Sequence, residues 1–393
     1  MAGAPAAPWP GWRGLADRLL ASPRFRAWAA AFPLTRPVAR RRARDLFDVV
    51  AGFVYSQVLA ACVELRLFEM LAEGALPLPA LAHRLALPLG AASRLLEAAA
   101  SLDLVDRRGS DGAGQPCFGL GRLGAAMIGN PGLRAMVEHH RLLYADLREP
   151  VALLRGQAGP TALGGYWPYA AAADPAGLSA AQTDSYTALM AASQPMVAAE
   201  VLAAYRFGRH RCLLDVGGGD GSFLAAAGAR APGLRLMLFD LPPVAARARE
   251  RFAAAGLGGR ATAHGGDFRR DSLPAGADIV SLVRVAHDHG DAELRALLRA
   301  ARRALPPGGT LLLAEPMAAT PGAAPMGEAY FGFYLLAMGS GRARTAAEYS
   351  DLLGESGFEQ PRLRRTNTPL LASVMVARAG ALSGIDDRSV SHT

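Results

Sequence analysis

Between residues 211 and 316 one pattern recurs, and it leaves few folds open. Short apolar runs, CLLDVG, RLMLFD, ATAHGGD, DIVSLVRVA and TLLLAEP, alternate with Ala- and Arg-rich segments of helical spacing. Strands that alternate with helices build βα units, so the pattern predicts an α/β fold around a parallel sheet. A further apolar run, LASVMVAR at 371–378, adds a last strand before a polar tail.

The ends of these runs carry the chemistry. The first ends at Asp215 and turns through Gly217, Gly218, Gly219 and Gly221 before a helix. Glycine is needed where a ligand approaches the backbone too closely for a Cβ, and where φ is positive. A dinucleotide fold prefers G-x-G-x-x-G with pyrophosphate at the helix N-terminus. Here the spacing is G-x-G-x-G, with Asp215 before it and Asp220 within it, and carboxylates beside pyrophosphate repel it. A cationic or zwitterionic ligand fits better. The second run ends at Asp240, about twenty residues on, where an acid can hydrogen-bond both hydroxyls of a ribose. The third ends at Asp267 and Phe268, suited to an adenine amino group and an adenine face. Each acid alone reads more readily as a turn residue or a helix cap. At the ends of consecutive strands beside a glycine turn, they predict S-adenosylmethionine as cofactor. The fourth run stops at His287, Asp288 and His289, two imidazoles around a carboxylate at the end of an apolar strand.

Upstream, the chain divides into a basic aromatic arm (1–45), a helical and winged-helix stretch running on into Met- and Tyr-rich helices (46–200), the βα region (201–379) and a tail (380–393). Residues 76–109 have helical spacing, a turn at 87–90 and a second helix, followed by a short strand, the turn GSDGAGQP and a return strand CFGLG. The candidate recognition helix, 89–101, offers Arg94 as its one cation, so this module is expected to pack or dimerise and to bind no nucleic acid. The arm holds nine arginines against Asp17 and Asp45, most of the net charge of +8, and three of the four tryptophans. It suits an anionic membrane surface, and equally a helical arm packed on a dimer partner. The longest uncharged apolar stretch, 49–63, is short of the roughly 18–20 residues that span a bilayer. No leader pattern is evident, and Cys62, Cys117 and Cys212 show no close pairing, so a cytoplasmic protein without a disulfide framework or metal cluster is expected.

The segments LLDVGGGDG, FDLPPV, GGDF, RVAHDHGD, LPPGGTLLLAEP and GRARTAAEYSDLLGESGF resemble the successive motifs of the S-adenosylmethionine-dependent O-methyltransferases of plant phenolic and bacterial secondary metabolism. Within that family PWPGW, FPLTR and LFDVVAGFVYSQVLAACVELRLF most resemble the branch acting on hydroxyneurosporene and demethylspheroidene in purple phototrophic bacteria. The resemblance implies a Rossmann-like seven-stranded methyltransferase sheet, an N-terminal helical winged-helix dimerisation domain and a homodimer. It implies Asp215, Gly217, Gly219, Asp240, Asp267 and Phe268 at the cofactor, with His287 as general base and Glu315 orienting it. An imidazole with a pKa near 6.5 can take the acceptor's proton during in-line methyl transfer. His289 replaces the family's tryptophan, and Ala343 replaces a second acid, which leaves the orientation of His287 to Glu315. Asp288 orients the acceptor or the turn. Met338 falls near an amide position of the phenolic enzymes, and with Met190, Met196, Phe331, Phe333 and Tyr334 it predicts a long apolar channel; each of these also reads as plain core. As a set they favour a lipid-like substrate; the resemblance implies a carotenoid acceptor, with a polyketide or tetrapyrrole as the rival acceptor. A winged-helix regulator with a vestigial enzyme fold and an NAD-dependent dehydrogenase are the readings from other classes.

Overall fold

The computed structural model describes residues 12–172 and 174–381. Trp9 and nearly all of the 380–393 tail lie outside them. The chain divides into two compact units between Ile128 and Gly129.

The first unit opens with three helices, α1 (Trp12–Ala21), α2 (Pro23–Ala31) and α3 (Arg36–Glu64). Ser22 caps α2 through its side chain, and Pro23 and Pro37 sit in first turns, where a missing N–H costs nothing. The 45/46 boundary expected from sequence falls inside α3, which runs unbroken through it. Helices Leu78–Arg84 and Leu89–Ser101 then lead into a hairpin of β2 (Val105–Ser110) and β3 (Pro116–Leu120), with β1 (Leu76–Pro77) on the other edge of β3. This is the winged-helix arrangement that the residue spacing predicts.

The second unit holds a seven-stranded sheet. Its strands are β4 (Cys212–Val216), β5 (Arg235–Asp240), β6 (Ala261–Gly265), β7 (Ile279–Val283), β8 (Thr310–Glu315), β9 (Phe358–Arg364) and β10 (Ser373–Ala379), in the order β6-β5-β4-β7-β8-β10-β9. The first five in that order are parallel, and β10 pairs antiparallel with both β8 and β9. Alternate residues feed two cores: Leu213, Ile279 and Leu312 face one side, and Leu214, Val280 and Leu313 the other. Burial on both faces is why these strands read as continuous apolar runs. The strand order reverses between β4 and β7, the place where ligands bind at the carboxyl edge of open α/β sheets.

The helices of 131–200 belong with the sheet, not with the winged helix as the 46–200 segment implied. The physical link is the long helix Ala180–Ala204, whose Val197, Ala198 and Val201 enter one core beside Leu213 and Phe223.

Candidate active site

The glycine turn after β4 has the conformations its sequence predicts. Gly217, Gly219 and Gly221 have φ of 68°, 60° and 80°. A Cβ on Gly217 would lie 2.7 Å from Val285, and one on Gly221 would lie 2.6 Å from Phe252. At Gly219 the same position is open, so the turn faces free space there. Asp240, at the end of β5, accepts from Gly219 N (2.8 Å) and from its neighbour Leu241 N (2.7 Å). Burial raises its pKa to about 6 against these two donors. Asp215 accepts from Ser281 Oγ at 2.5 Å through one oxygen, while Oδ2 is buried without a hydrogen bond. Burial pushes this carboxyl up to about 7.

Asp267 is buried at the end of β6, and its oxygens accept from Arg269 N (3.0 Å) and Arg269 Nε (3.1 Å). It is therefore already partnered on the protein side. Phe268 meets His289 edge to face, ring centroids 5.1 Å apart, so the position expected to hold tryptophan still presents an aromatic wall.

Past β7 the chain enters a short turn in which His287 is only 7% exposed. Its Nδ1 lies 2.5 Å from Glu315 Oε2, and its Nε2 lies 3.2 Å from Asp288 Oδ1. Glu315, fully buried at the end of β8, uses Oε1 to accept from Val285 N (2.9 Å) and Ala286 N (2.8 Å). One carboxylate thus fixes both the backbone and the imidazole. Burial alone lowers the pKa of His287, but Asp288 and then Glu315 outweigh it, and the imidazole sits above its ordinary value. Asp288 Oδ2 accepts from Tyr169 OH at 2.8 Å.

A second segment clamps this turn from outside. Ser340 Oγ donates to Asp288 O (2.7 Å), and Arg342 N to His287 O (2.9 Å). The buried Arg344 guanidinium donates to Ala286 O (2.9 Å), His289 O (2.7 Å) and Asp291 Oδ1 (2.7 Å). Ala343 has no acid to offer, yet the residues beside it hold the His287 backbone. Sequence reasoning passed over Arg344, whose only signal was its place in GRART.

The glycine turn and the β7 turn share one cavity, enclosing about 1160 Å³, part of it open to solvent. Its walls include Asp215, Gly217, Gly219, Asp240, Asp267, Phe268, Asp288 and His289, and on the helical side Trp167, Tyr169, Tyr186 and Met190. The structure brings together the cofactor residues read from sequence, and adds Met190 and Asp288 to them. Phe333 and Met338 do not line this cavity, nor do His287 and Glu315; Asp288, which faces His287 Nε2, does. Met338 is buried with Leu143, Leu163 and Tyr334, one helical turn from Tyr334 on the face turned into the packed helical layer.

Arg284 was also missed, since it reads as one polar residue in an apolar strand. It lines the cavity with a left-handed backbone, φ 57°. Its guanidinium donates to Ser193 Oγ (2.7 Å), Met190 O (3.1 Å) and Gln194 Oε1, while Nε has no partner. Burial lowers its pKa to about 10, so it stays cationic. The unpaired Asp215 oxygen and Arg284 Nε on one cavity, with Asp240 at the end of the neighbouring strand, suit a zwitterionic nucleoside ligand.

Known proteins give this arrangement a class. The family model for the O-methyltransferase domain matches residues 144–359, and that for the O-methyltransferase dimerisation domain matches 47–130. The chain belongs to this family and is an S-adenosylmethionine-dependent O-methyltransferase. It is 46% identical over 365 residues to the demethylspheroidene O-methyltransferase of Cereibacter sphaeroides, covering 92% of this chain and 94% of that one. With the enzyme of the same name from Rhodobacter capsulatus it shares 42% over 377 residues, 94% and 91% of the two chains. The human N-acetylserotonin methyltransferase, solved with S-adenosylmethionine, superimposes with a TM-score of 0.70 at 25% identity, covering 86% of this chain and 98% of that one.

Proposed function

We propose that this enzyme methylates the C1 tertiary hydroxyl of acyclic carotenoids such as hydroxyneurosporene and demethylspheroidene, with His287 as general base. The similarity to demethylspheroidene O-methyltransferases along nearly the whole chain supports the acceptor most strongly. The cavity supports it chemically: on the helical side its wall includes Trp167, Tyr169, Tyr186 and Met190, apolar and aromatic groups that suit a polyene, beside the polar Thr187 and Gln194. A lipid-dissolved acceptor of this kind would bring a cytoplasmic enzyme to the membrane surface.

Bound S-adenosylmethionine supplies an electrophilic methyl on its sulfonium. Asp240 would hold the ribose hydroxyls, Phe268 would cover the adenine, and Arg284 would meet the methionine carboxylate. Glu315 holds the proton on Nδ1 of His287, which leaves Nε2 to receive the acceptor's proton. Asp288 faces that nitrogen and is fixed from behind by Tyr169, so it stabilises the imidazolium once it forms. A tertiary alcohol is too weak an acid for an imidazole to ionise beforehand. Proton removal is therefore concerted with methyl transfer, and positioning carries the rate.

The test is methyl transfer from labelled S-adenosylmethionine to 1-hydroxyneurosporene in detergent, beside a phenolic acceptor. Label in the carotenoid alone is expected. Label only in the phenol would keep the chemistry and reject the carotenoid.

A further inference from the structure

We infer that residues 12–44 form an interfacial arm that docks the enzyme on anionic lipid bilayers. The inference rests on the reading of a membrane-dissolved acceptor for its purpose, while its observations lie elsewhere in the chain. The arm precedes both family domains, at 47–130 and 144–359, so neither assigns it a task. In α1, Leu15, Leu19 and Leu20 are 62%, 44% and 42% exposed and lie within one arc of the helix, with Asp17 and Arg18 on the other side. Next to it Trp28 stacks on Phe32 at 5.1 Å, and both remain open to solvent.

Cations border these apolar groups. Arg26 and Arg36 are engaged with carbonyls at the ends of α1 and α2. Arg18, Arg24, Arg40, Arg41, Arg42 and Arg44 are exposed, and their guanidinium groups form no hydrogen bond or ion pair among the described residues. Guanidinium groups pair with phosphate oxygens, and leucine and tryptophan partition into the boundary beneath the headgroups. A nucleic acid would satisfy the cations and leave the leucines in water, so the combination selects a bilayer. By length and apolarity α3 passes for a membrane span. Arg36, Arg40, Arg41, Arg42 and Arg44 crowd its first turns and hold that end at the headgroups, so the arm lies on the surface.

The experiment is co-sedimentation of the full-length protein with vesicles, without carotenoid. Phosphatidylcholine alone is compared with an equal mixture of phosphatidylcholine and phosphatidylglycerol, at low and high salt. Binding to the mixed vesicles only, weakened by salt, is expected. Replacing Arg40, Arg41, Arg42 and Arg44 by Gln should lower partitioning by roughly 5-fold per arginine. Leu15→Ser with Leu19→Ser keeps the charge and should weaken binding while abolishing the blue shift of Trp fluorescence. No binding to anionic vesicles, binding unchanged in both variants, equally tight binding to duplex DNA, or variants that turn the dimer into monomers would each overturn the inference. Methylation of hydroxyneurosporene in detergent is read separately, so failure of the acceptor assignment leaves the vesicle result standing.

Discussion

At the scale of single residues the site turns on how many charges face one imidazole. His287 has Glu315 at one nitrogen and Asp288 at the other, and together they raise its pKa against the pull of burial. A general base works in its neutral form, so kcat/KM should climb with pH through a limb lying above the ordinary imidazole value of about 6.5. Asp288→Asn removes the larger of the two raising charges, and the limb should move to lower pH; a pH profile of the variant checks the sign. His287→Ala should lower kcat by about 10²- to 10⁴-fold and leave S-adenosylhomocysteine affinity nearly intact by calorimetry. Unchanged turnover would remove His287 from the mechanism. Asp240→Ala should do the reverse, weakening the cofactor roughly 10- to 100-fold through lost hydrogen bonds to a charged group.

At the scale of elements, the clamp on the β7 turn makes its own prediction. A Cβ on Gly341 would lie 2.1 Å from His287 O, and φ there is +76°. Gly341→Ala must therefore displace the turn that carries His287, the proposed base, and a shift on the order of 1 Å costs about 10² in kcat. Cofactor affinity, which the proposed site assigns to Asp240 and the glycine turn, should change little. The same element shows where sequence reading stops. Asp215, Asp240 and Asp267 were legible because each ends an apolar run, and strand order then makes them neighbours. Glu315 and His287 were legible for the same reason, with the family resemblance assigning their roles. Arg344 and Tyr169 reach the turn from distant segments, and no local periodicity encodes such a contact. Arg284 was hidden because a cation inside an apolar run looks like noise until the backbone turns it into the cavity. β9 escaped notice because FEQPRLR is an edge strand, mostly exposed and able to carry Pro361 where a central strand cannot. The helices of 131–200 were misallotted because composition does not tell which core a helix enters.

At the scale of the molecule, two surfaces follow one another along α3. Its first turns carry the arginines of the arm, and from residue 47 the chain enters the family's dimerisation domain. There Phe47, Val49, Val50 and Phe53 are 61%, 80%, 63% and 72% exposed in the single chain. An apolar stripe of that kind on a domain that dimerises is where the partner copy belongs. Phe53→Glu would bury a carboxylate in each half of such an interface, so the dimer should weaken by about 10²-fold or more. Sedimentation equilibrium measures this directly. The lining of the cofactor cavity comes wholly from residues beyond Gly129, within the second unit. The monomeric variant should therefore bind S-adenosylhomocysteine within a few-fold of the parent. A dimer that persists would move the interface off this stripe. Loss of cofactor binding together with the dimer would mean that the second unit depends on the partner copy for its own structure.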